Sequence, residues 1–250
     1  MEKTPMRSEN GFLQGPIVHE GLLYDKRENE VVCSLCERHC HIMADQKGFC
    51  RTRINYNNKL YTIVYDDISA INSRPIEIKP FFHFYPGSTA LTLSTWSCNF
   101  PCPWCQNHHL SKRPPEPDFG NFIAPEVIVT RAIAANDSGI CISFNEPTLL
   151  FEYCLDLFPI SRKHGLHNCF VSNGYMTLGA LRMLKDKGLD AIKIDVKGNA
   201  NVYKNYCSAD SEVVWRNVRE AKRLGMHVEI VNLIINGMNE TPMIVWMKSS

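Results

Sequence analysis

The chain has 250 residues, 44% of them hydrophobic, and 27 Lys and Arg against 26 Asp and Glu give a formal net charge of +1. That balance offers no electrostatic case for binding nucleic acid or an acidic membrane surface. No apolar run reaches the ~18 residues of a membrane span, and residues 1–14 lack the apolar core of a signal peptide. The expectation is therefore a cytoplasmic protein with no nucleic-acid and no membrane partner. Eleven cysteines, mostly clustered at short spacings, point in a reducing compartment to metal binding rather than to disulfides.

In chain order, residues 1–30 are polar and irregular apart from 18–24. Next comes VVCSLCERHCHIMADQKGFCRTR, with Cys33, Cys36, Cys40 and Cys50 spaced C-x2-C-x3-C-x9-C. Four thiolates so close can complete a tetrahedral zinc site or a fully ligated iron–sulfur cluster. The plain alternative is buried cysteines packing as small hydrophobes. His39 and His41 read as surface residues beside this knot. Residues 59–71 read as one or two strands. Residues 75–88 (PIEIKPFFHFYPGS) read as an extended lead-in, because their prolines bar a regular helix. Within it Glu77 and Lys79 suit salt-bridging or packing roles, and His83, among aromatic residues, reads as a core histidine.

From Thr89 the rhythm changes. A strand over 90–95 runs into TWSCNFPCPWCQN, where Cys98, Cys102 and Cys105 are spaced C-x3-C-x2-C. Three thiolates can hold a [4Fe–4S] cube while leaving one iron without a protein ligand. A proline-rich loop (112–120) precedes a helix over 125–137 with Pro125 at its start. Strands over 140–144, 168–172, 191–196 and 227–235 then alternate with helices over 149–164, 178–187 and 211–224, the second stopping at Gly188. Strand–helix alternation predicts parallel βαβ units with ligands gathered where strands end. Polar words stand at those ends: Asn145-Glu146-Pro147-Thr148, Ser172-Asn173-Gly174, Asp195-Val196-Lys197-Gly198, and NLIINGMN over 232–239. Asp195 and Lys197 share one strand face, which suits either ligand binding or a buried ion pair. Cys141 and Cys169 lie in strands as core residues, and Cys207, near Tyr203 and Tyr206, is a weaker candidate for a substrate-facing thiol.

The cysteine spacing is the signature of the radical S-adenosylmethionine (SAM) enzymes. Together with SCNFPCPWCQN and PIEIKPFFHFYPGS, the chain over about 32–239 resembles the radical SAM protein of the AmmeMemoRadiSam system, a relative of the pyruvate formate-lyase activating enzymes. The resemblance implies an α/β partial (β/α) barrel (89–250) behind an N-terminal Cys-rich segment and lead-in (1–88). Relatives close six strands, so a chain short after strand five implies an open barrel edge. It implies Cys98, Cys102 and Cys105 as ligands of a [4Fe–4S] cluster, and Trp104, Asn145, Glu146, Ser172, Asn173, Asp195 and Lys197 as contacts to SAM, with Trp104 near the adenine and Glu146 offering main-chain acceptors to the ammonium. No further catalytic residue is assigned. The implied chemistry is reductive cleavage of SAM to a 5′-deoxyadenosyl radical that abstracts hydrogen from an unidentified substrate. A flavodoxin or ferredoxin would supply electrons, and Memo-like and AMMECR-type proteins are the implied partners. Two alternatives stand beside this: an activase for a glycyl-radical enzyme, and a non-catalytic module with two zinc sites, the second completed by His108 or His109.

Overall fold

The computed structural model describes residues 17–116 and 120–239. The expectations for 1–14, and for the chain beyond Asn239, lie outside them. The N-terminal part holds two small antiparallel sheets. One takes β1 (His19–Glu20), β5 (Arg53–Tyr56) and β6 (Lys59–Thr62), and the other β2 (Tyr24–Lys26), β3 (Glu30–Cys33) and β4 (His41–Met43). Their strands have two to four residues, and main chain and side chains both join them to the rest: the Glu37 N–H donates to the Tyr175 carbonyl (3.0 Å) and the Thr177 N–H to the Leu35 carbonyl (3.1 Å). Arg53, 1% exposed, donates from both terminal nitrogens to Glu152, at 2.6 and 2.7 Å.

The main sheet has six strands. β7 (Ala70–Pro75) pairs antiparallel with β8 (Thr89–Ser94), and β9 (Gly139–Ile142), β10 (His167–Ser172), β11 (Ala191–Val196) and β12 (His227–Asn232) follow in parallel, each beside its predecessor. The five parallel strands are those expected, and the fold is the α/β, partial-barrel type. β7 adds an edge that begins within the stretch 59–71 read as strand and ends at Pro75, the first residue of the lead-in. Its Pro75 stands at the strand's end, where a missing N–H is tolerated. β12 pairs only with β11 among the described residues.

The connecting helices begin and end where local chemistry directs. After the short α1 (His108–Ser111), α2 (Pro125–Ala134) carries proline in its first turn. α3 (Phe151–Lys163) packs on both of its neighbours, α2 and α4 (Leu178–Lys187). The Thr177 hydroxyl caps α4, and Gly188 ends it in the left-handed region at φ +116°, which glycine adopts without a Cβ clash. A short turn, α5 (Ala200–Val202), leads into a wider π-turn over Tyr203–Cys207 before α6 (Ser211–Arg223), which Asp210 caps.

Strand register sets the concave face. Thr92, Cys141, Cys169 and Ala191 stand side by side, then Val171, Lys193 and Glu229 two residues further along, then Asp195 beside Val231. Ile76, Phe81 and Phe84 pack against Cys141, Cys169 and Ala191, closing one end of that face. His83 is not a core residue: its side chain is 83% exposed, with Nδ1 3.6 Å from Glu229. Phe81 and Phe84 take the inward positions and leave His83 on the outside.

Candidate functional site

At the carboxyl ends of the parallel strands lies a cavity of about 460 Å³. Cys98, Cys102, Cys105, Trp104, Asn145, Glu146, Ser172, Asn173, Asp195 and Lys197 all line it. Residues from three strand ends and one loop thus meet in a single place, as expected for the crevice outside the carboxyl ends of parallel strands.

The loop carrying the three cysteines is held at both ends. Ser97 has φ +69° and Phe144, at the end of β9, has φ +67°, uncommon values for residues with a Cβ. Side chains fasten these turns together: Asn145 Nδ2 donates to the Ser97 carbonyl (2.8 Å), and Asn107 Nδ2 donates to the Phe144 carbonyl (2.7 Å). The Phe100 N–H donates to Cys98 Sγ at 3.4 Å, and Cys105 Sγ lies 3.0 Å from Ser111 Oγ. Burial, with the Glu146 carboxylate adding to it, pushes the Cys98 thiol up to about 12. A metal centre would reverse this by drawing off the proton. Cys102 Sγ lies 3.6 Å from Cys207 Sγ. Cys102 is lowered, first by that thiol and then, against burial, by the ammonium of Lys197. Cys207 is buried behind the loop and does not line the cavity, so it does not face a substrate there.

Two buried polar atoms on the cavity wall lack a protein partner: the Trp104 Nε1–H, a donor, and Asn145 Oδ1, an acceptor. Buried polar groups are rarely left unpaired, and a ligand carrying both kinds of group would satisfy them. The wall also holds charge of both signs. Asp195 accepts from Lys193, and Lys197 Nζ lies 3.3 Å from its other oxygen. Burial alone would raise the Asp195 carboxyl, but Lys197 and then Lys193 outweigh it and hold it below the ordinary carboxylate range. A zwitterionic amino acid with a sulfonium and a ribose matches such a wall, and three thiolates match an iron–sulfur cube, so the residues fit the group that the cysteine spacing implies.

Glu146 plays a part that its place at a strand end did not disclose. Its carboxylate is 1% exposed and accepts from the Thr148 N–H (3.1 Å), the Thr148 hydroxyl, the Ser172 hydroxyl (2.8 Å) and the Asn173 N–H (2.9 Å). It ties the end of β9 to the end of β10, and what it offers a ligand must come from its main chain. Asn173 in turn donates to Asn99 Oδ1 at 2.7 Å and lies 3.9 Å from Cys98 Sγ.

Lys193 and Asn107 were not singled out in the sequence. Lys193 is 4% exposed and lines the cavity. Its signal was available: in KIDVK, polar residues alternate with apolar ones, so Lys193, Asp195 and Lys197 share one face. Asn107 closes the cysteine loop and left no such pattern.

Cys33, Cys36, Cys40 and Cys50 line a second, small cavity with Arg38, Arg53 and Asn99. All eleven cysteines are free thiols. Among the described residues no three Cys, His, Asp or Glu side chains form a set that would hold a single metal ion. His108 and His109 are exposed and off the cavity wall, so neither completes a zinc site with the three cysteines.

Residues 94–247 match the Radical SAM superfamily. An uncharacterised protein of Methanocaldococcus jannaschii, MJ0808, is 39% identical over 224 residues, which are 89% of this chain and 66% of that protein. The chain therefore spans about two thirds of that relative's length. Among solved structures, methylornithine synthase (PylB) is similar at a TM-score of 0.46 and 16% identity, over 66% of this chain and 50% of that one. AdoMet-bound anSMEcpe is similar at 0.43 and 21% identity, over 54% and 41%. A domain of a pyruvate-formate lyase-activating enzyme from Bacteroides vulgatus is similar at 0.39 and 18% identity, over 43% and 67%. The family assignment rests on the sequence match, not on these partial likenesses.

Proposed function

The chain belongs to the radical SAM superfamily, and from that premise we propose that it cleaves SAM reductively at a [4Fe–4S] cluster ligated by Cys98, Cys102 and Cys105. When bound, the two cofactors supply a 5′-deoxyadenosyl radical that takes a hydrogen atom from a substrate. The protein's share is to bind, orient and shield them. Asn107 and Asn145 brace the cysteine loop against β9, so that the three thiols face the strand ends. Trp104 Nε1 and Asn145 Oδ1 offer an unspent donor and acceptor. Lys197 suits the carboxylate of SAM and Asp195 its ribose hydroxyls, with Lys193 holding Asp195 in place. Main-chain acceptors after β9 suit the ammonium, while the Glu146, Ser172 and Asn173 side chains keep the strand ends in register.

The observation that carries this reading is the meeting of all three cysteines, Trp104 and all six strand-end candidates on one cavity wall. We place the chain in the AmmeMemoRadiSam branch on the strength of SCNFPCPWCQN and PIEIKPFFHFYPGS, in the cytoplasm and with a flavodoxin or ferredoxin as electron donor. Among the described residues no helix is long and apolar enough to cross a membrane. Memo-like and AMMECR-type partners gain no support from the uncharacterised relative. A glycyl-radical activase would use the same cofactors on a protein glycine.

The test is anaerobic reconstitution with iron and sulfide, addition of dithionite and SAM, and mass spectrometry for 5′-deoxyadenosine. The product is expected from the wild type and not from the Cys98→Ala, Cys102→Ala, Cys105→Ala variant. A reconstituted cluster that never yields deoxyadenosine would refute the reading.

A further inference from the structure

The four N-terminal cysteines are not used by the reaction above. Cys33 ends β3, Cys36 and Cys40 lie in the turn before β4, and Cys50 comes three residues before β5, yet all four line one cavity. Two further observations point to something held there. Arg53 spends both terminal nitrogens on Glu152, but its third donor, Nε, is buried without a partner. The buried Asn99 side-chain amide is turned toward the Cys36 sulfur. Both residues line the thiol cavity. An idle Arg53 N–H and the Asn99 amide beside four sulfurs describe a site for an anionic, sulfur-rich centre, since a donor with no acceptor in a buried place is costly. The main-chain N–H groups of Leu35 and Arg38 also point at the sulfurs of Cys33 and Cys36, and such bonds are among those that stabilise cluster thiolates.

The spacing selects the kind of centre. The cavity that the four thiols line together with side chains such as Leu35, Ile42 and Arg53, about 10 Å³, admits a water-sized sphere. Sulfurs that leave such room stand back from its centre by more than the ~2.3 Å of a zinc–sulfur bond. No three of them form a set for one ion, and the same is true of Cys98, Cys102 and Cys105. A cube of iron and sulfide spreads its ligands around four metal atoms and tolerates this separation. We propose that Cys33, Cys36, Cys40 and Cys50 bind a second iron–sulfur cluster of the [4Fe–4S] class, closed by four thiolates and therefore unable to bind SAM.

The experiment uses the full chain with Cys98→Ala, Cys102→Ala and Cys105→Ala, which removes the first set of ligands and leaves the second. After anaerobic reconstitution it is expected to retain about four iron and four sulfide per chain. Its visible absorption should bleach with dithionite, and the electron paramagnetic resonance signal of the reduced form should not move when SAM is added. Wild type should carry about twice the iron and show a second signal that SAM does move. Further replacement of Cys36 and Cys40 by serine should abolish the residual iron while circular dichroism shows the fold retained. Should those variants unfold, competition decides instead: wild type reconstituted with iron, sulfide and equimolar zinc should still take iron at both sites. One tightly held zinc per chain in the triple-alanine variant, or no metal, would overturn the proposal. Because the decisive variant lacks the first cluster's ligands, failure of SAM cleavage and failure of this proposal are read separately.

Discussion

Replacing Glu146 with glutamine is expected to loosen the floor of the cavity by a predictable amount. The carboxylate receives four donors, three on Oε1 and the Asn173 N–H on Oε2. A glutamine that keeps its oxygen toward the three must turn its NH2 toward the fourth, so one donor faces another. The loss is a charge-assisted hydrogen bond, about 1.5–3 kcal/mol, and the remaining N–H is left buried and unpaired at about 1–3 kcal/mol. A total of about 2.5–6 kcal/mol follows. With a urea slope near 3 kcal/mol per molar, the upper end of the usual range for small proteins, the unfolding midpoint should fall by about 0.8–2 M. Glu146→Ala, which abandons all four donors, should cost more. Urea unfolding of anaerobically purified protein, followed by tryptophan fluorescence and by circular dichroism, measures both. A loss below about 1 kcal/mol for Glu146→Gln would refute the internal role. If stability were unchanged and SAM affinity fell about tenfold, about 1.4 kcal/mol, the carboxylate would be facing the ligand instead.

Arg53→Met leaves the Glu152 charge buried without its partner, and removal of one member of such a pair costs about 3–5 kcal/mol. At about 2–4 °C per kcal/mol for a chain of this size, the melting temperature should drop by about 6–20 °C, and the double change Arg53→Met, Glu152→Leu should recover most of it. His167 is buried, and burial lowers it to about 4 from 6.5. Its neutral form is favoured in the fold, so the stability it contributes is whole above pH 6.5 and is lost as pH falls from 6.5 toward 4, by about 3 kcal/mol. His167→Gln should flatten that part of the stability–pH curve relative to wild type; parallel curves would contradict the assignment. Lys197→Met should weaken SAM binding by tenfold or more, the value of a hydrogen bond to a charged group, as read by equilibrium dialysis against the reconstituted protein.

The parallel strands were legible because each is a short apolar run bounded by turn residues, and the site was legible because its words follow directly on those runs. β7 was harder. AINSRP is mostly polar, and what makes it a strand is main-chain pairing with β8, which no side-chain pattern announces. The direction of Glu146 was hidden for a similar reason: its four donors come from residues up to 27 positions away, and only the parallel register of β9 and β10 brings them together. His83 misled because its aromatic neighbours, Phe81 and Phe84, compete for the same interior space and win it. The proximity of Cys102 and Cys207 spans 105 positions and leaves no local trace at all.

Arg38 connects these regions. From the turn between the N-terminal thiols its guanidinium donates to the carbonyl of Asn99, next to Cys98, and to the carbonyl of Cys207 at 3.0 Å. Asn99 itself lines the N-terminal thiol cavity while accepting from Asn173. The two sets of thiols therefore share a wall, built by Arg38 and Asn99. Thermodynamic reciprocity makes any coupling across that wall mutual: on the reading proposed above, filling one set changes the affinity of the other by the same factor in both directions.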